Sequence, residues 1–288
     1  MLRIKIGDKN YPKLLSEISN PPKEIYVEGK ILPRESCFAI VGTRKCSSYG
    51  KEIAWKIAGE LAQAGLTIVS GLAPGIDTFA HKGALDHGGR TIAVLGTGLD
   101  KRSIYPKENL GLAQEIIKKG GALISEYPPQ TPGSKITFPK RNRIISGLSL
   151  GVLVVEAKRK SGALITAEWA RKQKRKVFAI PGSIYSLNAK GCHYLIKKGA
   201  KLVESGEDIL KELKWKKKEI TSSNLQGTTN EVERLILEAL KEHSLYVDKI
   251  IKKTGLSPQK VISTLADLEI QGKVKNLGGN IYTFVKTL

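Results

Sequence analysis

The sequence predicts an α/β protein, a parallel sheet covered by helices on both faces, with a small winged-helix domain behind it. Three observations carry that prediction. From Ser36 onward short apolar runs alternate with longer amphipathic stretches, the rhythm of repeated strand and helix. Residues 214–230 then turn Lys-rich and afterwards Ser/Thr/Asn/Gly-rich, a composition that buries little and reads as a linker. Beyond it, three helical patterns precede an alternating stretch around Gly278-Gly279-Asn280, a hairpin signal, and three helices plus a hairpin make a winged helix-turn-helix.

Taken in chain order, residues 1–35 form a lead-in with the turn-forming pairs Tyr11-Pro12 and Pro21-Pro22 and a short apolar strand, Ile25-Tyr26-Val27. The sheet domain, 36–213, takes strands at 38–41, 67–69, 91–95, 122–124, 152–155 and 177–180. Helix patterns lie between them at 50–64, 76–87, 109–119, 164–173 and 193–198. In such sheets ligands sit beyond the C-terminal ends of the strands, which here read Gly42-Thr43-Arg44, Ser70-Gly71, Gly96-Thr97-Gly98, Ser125-Glu126, Glu156 and Pro181-Gly182-Ser183. Glycine at these ends either lets backbone approach a phosphate closely or serves a tight turn. The winged-helix domain, 231–288, takes helices at 231–242, 247–253 and 258–271 and a hairpin over 273–285.

At 288 residues and 41% apolar, the chain is globular and long enough for one large and one small core. Its formal charge of +21 attracts polyanions, nucleic acid or an anionic membrane surface. No apolar run reaches the roughly 20 residues of a spanning helix, and Met1 to Tyr11 alternates polar and apolar residues, unlike a signal peptide. A cytoplasmic protein that does not engage membranes is expected. Cys37, Cys46 and Cys192 are odd in number and widely spaced, and the four histidines are scattered, so neither a disulfide nor a metal site is expected. Residues 229–288 carry a net +2, leaving +19 to the rest, so the main polyanion site belongs to the sheet domain. The winged helix stays open between a nucleic-acid reader and a protein-interaction module.

The densest signal is Phe138-Pro139-Lys140-Arg141-Asn142-Arg143, read as a loop that sets a ring and three cations before the apolar-rich run 144–156. A ring for a base and cations for phosphates point to single-stranded nucleic acid, against a solvated surface run or, for Phe138, a core anchor. The first loop, Gly42 to Gly50, lacks G-x-G-x-x-G, and the second strand ends in Ser70-Gly71 without the acid that holds a ribose. No dinucleotide cofactor, or any other, is expected. Arg44, the hydroxyls of Ser47 and Ser48 and the amides at a helix start suit phosphate instead, with a simple helix cap as the alternative for the serines. Lys107 and Lys135 are further candidate phosphate contacts, and Gly71, Ser161 and Gly162 are candidate amide-rich seats. Asp77 and His81, spaced i, i+4, read as a buried hydrogen-bonded pair, since no nucleophile or metal-ligand pattern accompanies them.

These strings in this order resemble the DprA (Smf) family of bacterial DNA-processing proteins. The resemblance rests on Val41-Gly42-Thr43-Arg44 with Ser47 to Gly50, Ser70 to Asp77 with Ala80-His81, and Ala93 to Asp100 with Tyr105-Pro106. It extends through Ser125-Glu126, Phe138-Pro139 to Ile145, Val155-Glu156-Ala157, Ser161 to Ala167 and Val177 to Gly182, about residues 5–210 in all. It implies an extended Rossmann-like domain that binds single-stranded DNA without sequence preference, forms a homodimer and loads RecA recombinase onto incoming DNA in natural transformation and recombination. The family's DNA contacts map onto Arg44, Lys107, Lys135 and Phe138, ahead of Arg141-Asn142-Arg143. The small winged helix also resembles one that many members carry, whereas the start close to the sheet domain leaves no room for the N-terminal SAM-like domain of longer members.

The expectation is a non-enzymatic single-strand DNA binder with Lys135 and Phe138 foremost and Arg141, Asn142 and Arg143 partly bracing the loop that presents them. An alternative is a LOG-like nucleotide-hydrolysing enzyme, whose Pro-Gly-Gly-x-Gly-Thr-x-x-Glu motif is degraded here to Ser161 to Glu168. A transcription regulator led by the winged helix is disfavoured by that domain's near-neutral charge.

Overall fold

The computed structural model describes residues 1–215, 228–241 and 243–285. The chain divides into two compact units, Met1–Lys218 and Glu219–Leu288. Most of the linker stretch expected at 214–230 lies outside the described residues, while Lys214 and Trp215 belong to the first unit, where the Trp215 indole donates to Ala64 O at 3.0 Å.

The first unit runs β1 (Leu2–Lys5), α1 (Lys13–Ser16), β2 (Glu24–Gly29), β3 (Cys37–Val41), α2 (Ser48–Gln63), β4 (Thr67–Ser70), α3 (Ile76–Asp86) and β5 (Thr91–Leu95). It continues with α4 (Leu110–Lys118), β6 (Ala122–Ser125), α5 (Thr137–Gly147), β7 (Ser149–Val154), α6 (Gly162–Lys172), β8 (Lys176–Ala179), α7 (Lys190–Lys197), β9 (Lys201–Leu202) and α8 (Gly206–Glu212). Among the described residues its nine strands lie in the order β1-β2-β6-β5-β4-β3-β7-β8-β9. From β6 to β9 every neighbouring pair is parallel, as the alternation of strand and helix requires.

The central strands read as unbroken apolar runs because both faces are covered. In β3 the side chains of Cys37, Ala39 and Val41 enter the core under α5 and α6, while Phe38 and Ile40 enter the core under α2 and α3. A third apolar cluster, with Leu95, Leu112 and Ile116, seats α4.

Two expectations need correction. Residues 1–35 are no mere lead-in: β1 pairs antiparallel with β2, and β2 pairs antiparallel with β6, so the sheet is mixed. Ile4, Ile25 and Val27 are buried in the same core as Ile124, which is why this segment folds with the sheet. The segment 137–143, read as a loop, is the first half of α5. Pro139 falls in the first helical turn, where its missing N–H leaves no bond unmade.

The second unit runs α9 (Thr228–Ala239), β10 (Leu245–Tyr246), α10 (Val247–Thr254), α11 (Pro258–Ile270), β11 (Val274–Asn276) and β12 (Ile281–Phe284). Its strands form an antiparallel sheet, β10-β12-β11, over a core that includes Ile236, Ile250, Leu265 and Leu268, the arrangement of a winged helix. Gly255 takes a left-handed φ of 68° to end α10 and turn the chain into α11. No helix among the described residues is long and apolar enough to cross a membrane.

Candidate nucleic-acid interface

The parallel strands switch direction of winding between β3 and β7, because β3 continues to β4 on one side while β7 continues to β8 on the other. The loops leaving the C-terminal ends of such a pair diverge and open a crevice. Here the diverging loops are Gly42 to Ser47 after β3 and Val155 to Ser161 after β7.

Two adjoining cavities occupy this end of the sheet and share Arg44, Phe138 and Pro139 as a common wall. The first, about 380 Å³, lies over the crevice and is lined by Thr43, Lys45, Lys158, Lys160 and the Ser161 start of α6. The second, about 890 Å³, is lined by Tyr105, Lys107, Ser134 and Lys135. Arg44, Lys107 and Lys135 are exposed. Sequence reasoning placed Arg44, Lys107, Lys135, Phe138, Arg141, Asn142, Ser161 and Gly162 at one site, and the structure gathers all eight on these two walls.

Phe138 is the hinge between the cavities. Its ring packs on Gly96 and Gly133, where an added Cβ would stand 2.7 and 2.5 Å from ring atoms, so only glycine at both positions leaves room for it. The Arg44 guanidinium carbon lies 5.6 Å over the ring centroid, and the Tyr105 ring lies 5.8 Å from it, tilted by 48°. The ring is therefore half-buried and held, a rigid platform with a cation above it.

The cations that follow Phe138 have a different fate. Arg143 is 2% exposed; it pairs with Glu126 at 2.5 Å and donates to Asn20 O at 3.1 Å. Arg141 is 5% exposed and donates to Gly71 O at 2.8 Å and to Val94 O. Burial lowers the Arg141 pKa to about 10, with Asp77 opposing and Arg44 adding to the shift, so it stays charged at neutral pH. Asn142 donates to Gly162 O at 3.2 Å and so links α5 to the start of α6. Arg143 is thus a structural cation facing no groove, and Arg141 and Asn142 form a floor whose donors already serve the protein. Only Lys140 of the run is exposed, 3.9 Å from Glu126 and outside both cavities.

Gly71, Ser47 and Ser48 need the same correction, and Ser161, though it lines the first cavity, has a hydroxyl already engaged. Gly71 is buried; its amide donates to Asp77 at 3.0 Å and its carbonyl accepts from Arg141, and a Cβ there would meet that guanidinium at 2.6 Å. Ser47 caps α2 by accepting from Gly50 N–H at 3.0 Å, while its hydroxyl and amide donate to Glu156 at 2.6 and 2.9 Å. Ser48 is exposed in the first turn of α2 and lines neither cavity. The Ser161 hydroxyl caps α6, accepting from Ala163 N–H at 3.3 Å.

Glu156 is the residue whose role the sequence hid. It is 5% exposed, its carboxylate binds Ser47, and its own carbonyl accepts from Thr43 N–H at 2.7 Å. The loop that carries Arg44 is thereby fixed to the end of β7. The Glu-Ala pattern after a strand was the available signal, but its partners lie 109 residues away.

Asp77 and His81 are both buried but not bonded to each other. Asp77 accepts from the Gly71 and Ala73 amides, with burial raising its pKa despite Arg141. His81 Nδ1 bonds Thr91 Oγ1 at 2.7 Å, and burial, with Arg141 adding, lowers its pKa to about 3. Glu168, the residue a nucleotide-hydrolysing enzyme would need, sits on the exposed side of α6, 3.3 Å from Lys172, and lines neither cavity.

Residues 3–214 match the sequence model of the family described as DNA recombination-mediator protein A, and residues 222–280 match that of the DprA winged helix domain. The chain is 40% identical over 277 residues to Protein Smf of Escherichia coli, spanning 93% of this chain and 74% of that protein. It is 49% identical over 211 residues to the DNA processing protein DprA of Streptococcus pneumoniae, 73% of each chain. The X-ray structure of the Streptococcus pneumoniae protein superposes with a TM-score of 0.69 at 48% identity, covering 73% of this chain and 74% of that one. A structure of DNA processing protein A from Helicobacter pylori, described as giving insight into its single-stranded DNA binding mode, superposes with a TM-score of 0.65 at 33% identity. That match covers 72% of this chain and 94% of the other.

Proposed function

The chain belongs to the DNA recombination-mediator protein A (DprA) family, and from that premise we propose that it binds single-stranded DNA, without sequence preference, along the two joined cavities. The observation that carries this reading is the Phe138 platform between glycines with Arg44 above it and exposed lysines on either side. A ring fixed against glycine backbone offers a π-face that every base can stack on, which gives affinity without sequence readout. Arg44, Lys107 and Lys135 neutralise the backbone and release counterions, so binding weakens steeply with salt. Arg141 adds positive potential from the floor, and Glu156 keeps the Arg44 loop in place.

The same reading extends to the partners. The protein acts as a cytoplasmic homodimer that hands the bound strand to RecA during transformation and recombination, and it performs no covalent chemistry on the DNA. The family's description as a recombination mediator supports the recombination role, and the name of the Helicobacter pylori structure supports the bound single strand. Fluorescence anisotropy with a labelled oligo-dT tests the groove: Arg44→Glu plus Lys107→Glu lowers affinity about 100-fold, roughly 1–2 kcal/mol for each reversed contact. Wild-type affinity in that double variant would sink the assignment.

A further inference from the structure

The loop after β8 presents three large apolar side chains to water within four residues: Ile184 is 65% exposed, Tyr185 90% and Leu187 67%. A cluster of this kind marks a contact surface more often than an idle one. The loop is also held in place. The Tyr185 amide donates to Ser183 Oγ at 3.3 Å, and the Ser186 amide donates to Ser183 O at 3.0 Å. At its start, the Tyr49 hydroxyl donates to Pro181 O at 3.4 Å. At its end, the Asn188 side chain donates to Lys45 O at 3.1 Å, and Asn188 O accepts from Ala157 N–H at 2.6 Å. The first foot therefore stands on the start of α2 and the second on the β3 and β7 loops that form the crevice, so the apolar tip continues the groove beyond Lys45.

Resting on the proposal that single-stranded DNA occupies that groove, we propose that the strand continues past Lys45 onto this loop, where Tyr185 stacks a further base beside Ile184 and Leu187. Charge selects this occupant. Lys45 and Lys158 line the adjoining cavity and Lys190 opens α7 directly after the loop, so cations flank the apolar tip. Glu156, the carboxylate among these loops, is buried and engaged by Ser47. Exposed aromatic and aliphatic side chains between cations, continuous with a basic groove, suit bases between phosphates. The alternative occupant is a second copy of this chain.

The test uses the full-length protein and labelled oligo-dT of two lengths, one of about 6 nucleotides that fills the groove alone and one of about 20 that reaches the loop. Tyr185→Ala weakens binding of the longer strand at least about fivefold, the lower end for one stacked base, and leaves the shorter unchanged. Tyr185→Phe keeps the ring and restores the longer strand. Wild-type binding of the longer strand by Tyr185→Ala overturns the continuation while leaving the groove standing. A change in oligomeric mass by light scattering, with DNA affinity following that mass, overturns it in favour of a second copy. Arg44→Glu on the shorter strand is the separate arm: no loss there overturns the groove itself.

Discussion

The two units of this chain present opposite answers to the same charge. The sheet unit holds almost all of the positive excess and arranges part of it around a fixed aromatic ring at the switch point of a parallel sheet. The winged-helix unit has the outline of a duplex reader, yet α11, which follows the turn as a reading helix does, exposes Lys260 against Asp267 and Glu269. A fold that often grips DNA is here nearly neutral, whereas a fold that often binds dinucleotides lacks their fingerprint and is strongly basic. Charge placed on diverging loops, not fold outline, says where a polyanion goes.

The comparison is broken most forcefully inside the sheet unit, because part of its positive charge is structural. Arg143→Ala removes one partner of a buried pair and leaves Glu126 only the exposed Lys140 at 3.9 Å, costing about 3–5 kcal/mol in the urea unfolding of the sheet unit. Lys140→Ala, three residues away and exposed, changes the same midpoint by less than about 0.5 kcal/mol. Equal effects at the two positions would mean that burial does not separate structural cations from exposed ones.

Next in size is Phe138→Ala, expected to weaken oligo-dT binding by about 1–3 kcal/mol while leaving the salt slope unchanged, since a stacked base releases no counterion. Unchanged affinity in that variant would assign the ring to the core alone.

Acid sharpens the comparison by a third route. His81 is neutral in the fold with its pKa pushed down to about 3, whereas an unfolded imidazole takes up a proton near 6.5. The unfolded state therefore binds more protons below about pH 6.5, and the sheet unit loses up to about 1.4 kcal/mol per pH unit on the way down toward 3. Between pH 7 and 5.5 the urea midpoint of the wild type falls more steeply than that of His81→Gln. The unfolding of the winged helix, which does not contain His81, should be the same in the two proteins. Parallel pH profiles for wild type and variant would remove His81 from the acid response.

How far these features were legible in the sequence follows from how each is stabilised. The central strands announced themselves because a strand buried on both faces is a run of apolar residues, as in Cys37 to Val41. Strand β1 did not, because only Ile4 of its four residues is buried and the others face solvent at the sheet edge. Helix α5 was hidden by Pro139 and by polar residues that turn inward, so no amphipathic stripe shows. Arg141 and Arg143 look like surface cations in the sequence because their acceptors, Gly71, Val94, Asn20 and Glu126, come from distant segments. Arg44, Lys107 and Lys135 could be grouped from the sequence because each lies between the end of a strand and the next helix. Phe138, in the first turn of α5, follows β6 in the same way, so topology alone collects all four on the two cavities.

The central claim is that the DNA-facing charge lies on the Arg44, Lys107 and Lys135 loops and not on the winged helix. The most direct measurement is the slope of log affinity for oligo-dT against log salt, taken on full-length protein. Neutralising Arg44, Lys107 and Lys135 to Gln should flatten that slope by about 2, at roughly 0.7 for each lost phosphate contact. Neutralising Lys249, Lys252 and Lys260 of the winged helix to Gln should leave it unchanged. An unchanged slope in the first variant, or an equal flattening in the second, would contradict the account.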